Sequence, residues 1–135
     1  MSQHATGAFT IDTWDAQPYD EHDGITLTRA HVTKTFHGEI EGTSTAELLM
    51  VGTAVEGSAA YVGIERITAT VNGHAGSFIL KHNAVSAHGE QVGEWSIVPD
   101  SGSGALRGIR GIAHIEIGPD GSHTLALDYD DLPDD

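Results

Sequence analysis

The chain has 135 residues, no cysteine and a formal net charge of −14, from 20 acidic and 6 basic side chains. Disulfides, Fe–S clusters and thiol catalysis are therefore excluded, and a field of that sign repels phosphate backbones, so nucleic acid is not an expected partner. No apolar run approaches membrane-spanning length and no N-terminal stretch has a signal-peptide layout, so we expect one cytoplasmic domain, residues 1–135, with no membrane partner.

Seventeen glycines and many threonines, valines and isoleucines point to an all-β protein. Turn signals at Gly24, Gly38 to Gly42, Gly52, Gly57, Asn72-Gly73, His88-Gly89, Pro99 to Gly104 and Gly118 to Gly121 divide the chain. Between them the sequence predicts eight strands, near 6–14, 26–37, 43–51, 58–71, 75–87, 91–98, 105–117 and 122–130. Sequential hairpins of this number fit an antiparallel up-and-down barrel. Residues 1–5 and 131–135 are expected to be flexible.

The central hairpins fix a register. Asn72-Gly73 as a type I′ turn sets Val71 opposite His74, and hence Glu65 opposite Leu80, Ile67 opposite Phe78 and Gly63 opposite His82. A two-residue loop at His88-Gly89 then sets His82 opposite Trp95 and Leu80 opposite Ile97. Period-two alternation gathers Tyr61, Glu65, Ile67, Phe78, Leu80, His82, Trp95 and Ile97 on one inward face. The last hairpin, with Gly118 to Gly121 as its loop, places Ile112 opposite Leu127, His114 opposite Leu125 and Arg110 opposite Tyr129.

Glu65 and His82 are the candidate catalytic residues. A carboxylate facing an apolar lumen is disfavoured in its charged form, which raises its pKa and suits acid–base work, with the imidazole sharing the proton. The plainer reading of Glu65 is a buried structural acid held by amides or an arginine. Tyr61, Phe78 and Trp95 are candidate pocket walls or simple core fillers. Arg29 and Arg110, rare cations here, are candidate anchors for a ligand carboxylate or enolate, against the plainer role of pairing with nearby acids. The histidines form neither His-x-His nor His-Glu-x-x-His, and no metal or other cofactor is expected.

Phe36-His-Gly-Glu-Ile-Glu-Gly42, Leu48-Leu-Met50, Tyr61-Val-Gly-Ile-Glu-Arg66, Gly73-His-Ala-Gly-Ser-Phe78 and Ser101-Gly-Ser-Gly-Ala-Leu-Arg-Gly-Ile-Arg-Gly111 together resemble a bacterial family, domain of unknown function 3224. The resemblance runs from Trp14 to Tyr129; Asp100 stands where that family more usually has glycine. More distantly, Gly102-Ser-Gly-Ala-Leu-x-Gly before a strand is similar to the glycine signature of allene oxide cyclase and dirigent barrels. The resemblance implies an eight-stranded antiparallel, calycin-like barrel, often oligomeric, with a cavity for an apolar small molecule. It implies no reaction. Three readings follow: a cofactor-free isomerase or cyclase acting on an apolar oxygenated substrate, a small-ligand carrier or sensor, and a structural homodimer with a filled barrel.

Overall fold

The computed structural model describes residues 2–130 and 132; the expected flexible tail, Leu132 apart, lies outside the described residues, as does Met1. The strands are β1 (Gln3–His22), β2 (Ile25–Gly38), β3 (Ile40–Gly52), β4 (Ala59–Val71), β5 (His74–Ala87), β6 (Glu90–Ile97), β7 (Ser103–Gly104), β8 (Arg110–Ile117) and β9 (His123–Asp130). Every neighbouring pair is antiparallel, and β1-β2-β3-β4-β5-β6-β8-β9 returns to β1, closing an eight-stranded barrel. The two-residue β7 pairs with Gly76 and Ser77, beside the part of β5 that β6 does not reach. Gln3 to Ala5 already belong to β1, with Ala5 fully buried.

Two-residue loops at Asp23-Gly24, Asn72-Gly73 and His88-Gly89 join β1 to β2, β4 to β5 and β5 to β6, and both residues of each have positive φ. At Asn72-Gly73 the angles are 47° and 86°, the primed geometry whose twist matches that of paired strands. The derived registers hold: Val71 faces His74, Glu65 faces Leu80, Gly63 faces His82, and His82 faces Trp95.

Two expectations are corrected. The β8–β9 loop takes in Ser122, since Gly118 N–H donates to the Ser122 carbonyl and Asp120 accepts from Ser122 N–H and Oγ–H. Ile117 therefore faces His123, and each partner moves by one residue: Ile112 meets Asp128, His114 meets Ala126 and Arg110 meets Asp130. A slip of one inverts every side chain against its partner; Ala113, Leu125, Leu127 and Tyr129 are inside and Ile112 outside. The strand expected over 105–117 begins only at Arg110. Residues 105–108 turn tightly, and Leu106 and Ile109, both fully buried, plug the barrel end.

That end is solid. Phe36, Ile40, Ile67, Phe78, Leu127 and Tyr129 fill it with 1% exposure or less, each worth about 1.5–3 kcal/mol of burial. The other end has uneven walls. β1 leaves β9 after Phe9, and β6 touches β8 only at Trp95 and Ser96, so above that level the wall is β1 to β6 alone. The unpaired margin of β1 carries Asp12, Asp15, Pro18 and Asp20 and two register breaks. Charge, proline and irregularity of this kind keep an edge from pairing with another chain.

Candidate functional site

The site begins with a missing side chain. On β4, Gly63 lies opposite His82, so the imidazole can lie across β4 between Tyr61 and Glu65. His82 Nε2 is 3.1 Å from Glu65 Oε1, and Nδ1 is 2.8 Å from the Tyr61 hydroxyl. A Cβ at Gly63 would run into Leu48 Cδ2 and stand 3.3 Å from His82 Cε1. Small residues do the same on β3. Ser44 faces Lys34 and Ala46 faces Glu65, which leaves room for Lys34 Nζ to cross β3 and donate to Glu65 Oε1 at 3.2 Å. Ser44 Oγ donates to Oε2 at 2.5 Å.

Glu65 and His82 are 2% and 4% exposed, so neither side chain is solvated by bulk water. Burial pushes the Glu65 carboxyl upward, but the His82 hydrogen bond, the Lys34 charge and the Ser44 hydroxyl outweigh it and bring the pKa down to about 2. This overturns the expectation of a raised value: three donors converge on one carboxylate, and hydrogen bonds to the ionised form favour it. Glu65 is thus a fixed anion and a weak base. Burial first, then the Glu65 charge, push Tyr61 up to about 12 against a hydrogen bond from Trp95, so its hydroxyl keeps its proton at neutral pH.

The donors have an order. Carboxylate oxygens only accept. His82 Nε2–H therefore donates to Glu65, which in the neutral imidazole leaves Nδ1 to accept from the Tyr61 hydroxyl. Trp95 also lies flat beside His82, ring centroids 6.4 Å apart and planes 18° apart. Lys34 Nζ sits 4.9 Å from the Phe9 ring centre, close enough for a cation–π contact.

Above this relay is a cavity of about 320 Å³, reached by Tyr61, His82, Glu65 and Lys34 and walled by apolar side chains including Val32, Leu80 and both tryptophans, Trp14 and Trp95. The volume is at the lower end for small-molecule sites. Of the residues singled out from sequence, Glu65, His82, Tyr61 and Trp95 meet here. Phe78 is fully buried in the solid end, and the cavity lining does not include it. Arg29 lies outside the barrel, 3.3 Å from Glu47, and Arg110 is exposed on β8 opposite Asp130 in register; neither lines the cavity. Among the described residues no three His, Cys, Asp or Glu side chains are grouped to hold a metal ion.

Lys34 and Ser44 were missed from sequence. Their signal was alternation: Val32-Thr-Lys-Thr-Phe36 places Lys34 on the same face as two apolar residues, and Ser44 shares a face with Ala46 and Leu48.

Fold and site together define a closed antiparallel β-barrel with a polar relay in a partly hollow, apolar lumen. Residues 5–129 match the model of a family described as protein of unknown function (DUF3224), and the chain belongs to that family. It is similar to a solved structure, a DUF3224-family protein of unknown function from Shewanella oneidensis MR-1, with 33% identity, a TM-score of 0.87, and 99% of this chain and 100% of that one covered. No curated protein matches the chain. Among the described residues no helix is long and apolar enough to cross a membrane.

Proposed function

We propose that this barrel binds a small, neutral, largely apolar molecule bearing one hydroxyl or carbonyl oxygen, held at Tyr61. The observation that carries the reading is the Tyr61–His82–Glu65 relay opening onto the 320 Å³ cavity. Lys34 and Glu65 cancel each other's charge. An anionic ligand would meet Glu65 in an acidic protein whose cavity-lining lysine, Lys34, is already paired, whereas a neutral oxygen can join the hydrogen-bond chain at no charge cost.

The two tryptophans report on this directly, because both line the cavity. Titration with 1-decanol should change their fluorescence saturably. Tyr61→Phe should weaken that binding about tenfold, the worth of one hydrogen bond, and decanoate should bind far less well. A response that never saturates, or decanoate binding as tightly as decanol, refutes the reading.

The relay also supports a second reading, cofactor-free proton transfer. A ligand carbonyl that takes the Tyr61 proton bond releases His82 Nδ1 as an acceptor. His82 would then accept a proton from the carbon beside the carbonyl, the electron pair would move onto the oxygen, and Tyr61 would hold the resulting enolate. Glu65 orients the imidazole and stabilises its protonated form instead of acting as the base. Deuterium uptake at the α-carbons of 2-decanone in D₂O tests this. Exchange above the buffer rate that is lost in His82→Gln supports catalysis, and exchange at the buffer rate leaves binding alone.

A further inference from the structure

The strongest feature outside the lumen is the outer face of β3, β4 and β5. Leu49, Val62 and Ile64 are 49%, 56% and 50% exposed there, and Leu49 and Val62 are directly opposed across the strands. One row away, Val51, Ala60 and Val85 form a third apolar line. The face contains a groove of about 510 Å³ bounded by Arg29, Leu49, Val62, Ile64 and Lys81. A contiguous apolar patch of this breadth marks an interaction surface on a soluble protein. Unlike the margin of β1, this face has no acid at its centre; Glu47, held from the β2 side by Arg29 and His31, and Lys81 flank Ile64 from either side in one cross-strand row. Lys81 has no carboxylate partner among the described residues, although acids outnumber bases 20 to 6 in the chain.

We infer that the occupant of this face is a second copy of the chain, packed about a two-fold axis running along β4. The charge pattern selects both the occupant and the axis. An acidic partner of any other shape has no reason to match the row, but a self-pair does. Rotation about β4 exchanges β3 with β5, so Glu47 meets Lys81 of the second copy twice, Leu49 meets Asn83, Val51 meets Val85, and Val62 and Ile64 meet their own counterparts. Rotation about a line across the strands instead sets Glu47 and Lys81 against Val51 and Val85, leaving both charges on apolar surface. The chosen axis keeps the strands of the two sheets aligned, the common packing of sheet on sheet. On a chain with net charge −14, a face with no acid at its centre limits the repulsion between two copies. Arg66, also on β4, lies one row beyond Ile64, where its two copies approach at the rim.

Sedimentation velocity on the whole chain from about 2 to 100 µM tests the inference. The wild type should be a dimer and Ile64→Asp a monomer. Lys81→Glu and Glu47→Lys should each weaken dimerisation about tenfold, and the double variant should return to within about threefold of wild type. Arg66→Ser should tighten it, and Ile112→Asp, an exposed apolar position outside the patch, should leave it unchanged. If Ile64→Asp does not fold, the charge-swap set decides. A monomeric wild type at 100 µM, a dimeric Ile64→Asp, or a double variant no better than the singles overturns the proposal.

Discussion

Replacing Glu65 by glutamine isolates the electrostatics of the site. A carboxyl moved from its ordinary value near 4.5 to about 2 contributes about 3 kcal/mol to the folded state at neutral pH. Because the folded value is the lower one, this contribution is fully present above pH 4.5 and is lost as the pH falls through about 2. In Glu65→Gln the side chain has one acceptor oxygen instead of two, and Lys34 Nζ faces no anion. The variant should therefore be about 3 kcal/mol less stable than wild type at pH 7 by urea unfolding, or roughly 10 °C in Tm for a domain of this size. The gap should close between pH 4.5 and 2, since protonating Glu65 in the wild type then removes the same interaction. Only the difference between the two proteins is diagnostic: the remaining carboxylates repel one another at neutral pH, and their protonation changes both proteins alike. A difference that is constant from pH 7 to 2 would falsify the assignment of Glu65 as a buried, donor-held anion. A transition centred at the ordinary carboxylate value would show that the three donors do not act on it.

Three further outcomes follow from the same geometry. Lys34→Met removes one partner of a buried ion pair and should cost about 3–5 kcal/mol, with the acid limb of the unfolding profile moving to higher pH as the Glu65 carboxyl rises. Gly63→Ala sets a methyl against Leu48 and the His82 ring; it should cost about 1–3 kcal/mol of overpacking and alter Trp95 fluorescence, the indole being stacked on that ring. Asn72→Ala loses the donor to the Tyr129 hydroxyl at 2.8 Å and to the His4 carbonyl at 3.0 Å at a residue of positive φ; denaturant unfolding should show a loss of about 2 kcal/mol.

The parts of the site that could be read from sequence were those joined by two-residue loops. Asn72-Gly73 and His88-Gly89 leave no choice of register, so the β4–β5–β6 wall, with Glu65, His82 and Trp95 on one face, follows from two dipeptides. Where the loop was longer the deduction slipped. At Gly118 to Ser122 a side chain–backbone turn around Asp120 added one residue and inverted β8 against β9. Between β3 and β4 residues 53–58 intervene, and no local rule aligns Ser44 with Ile67 or Ala46 with Glu65. Lys34 therefore could not be placed beside Glu65, and without it the carboxyl's environment looked apolar and its pKa looked raised. Burial alone was legible; the counter-charge, two strands away, was not.

The stunted strands β8 and β9 give the chamber one low side, where β1 and β6 stand apart. If the chamber binds the ligand proposed above, a vessel shaped in this way should sort its guests by girth and not by reach. Whatever docks its oxygen beside Tyr61 must be slim enough for the walls, yet its far end can trail over the sill into water. A homologous series lengthened at the remote terminus should thus reach a plateau in affinity, while branching near the oxygen should end binding abruptly.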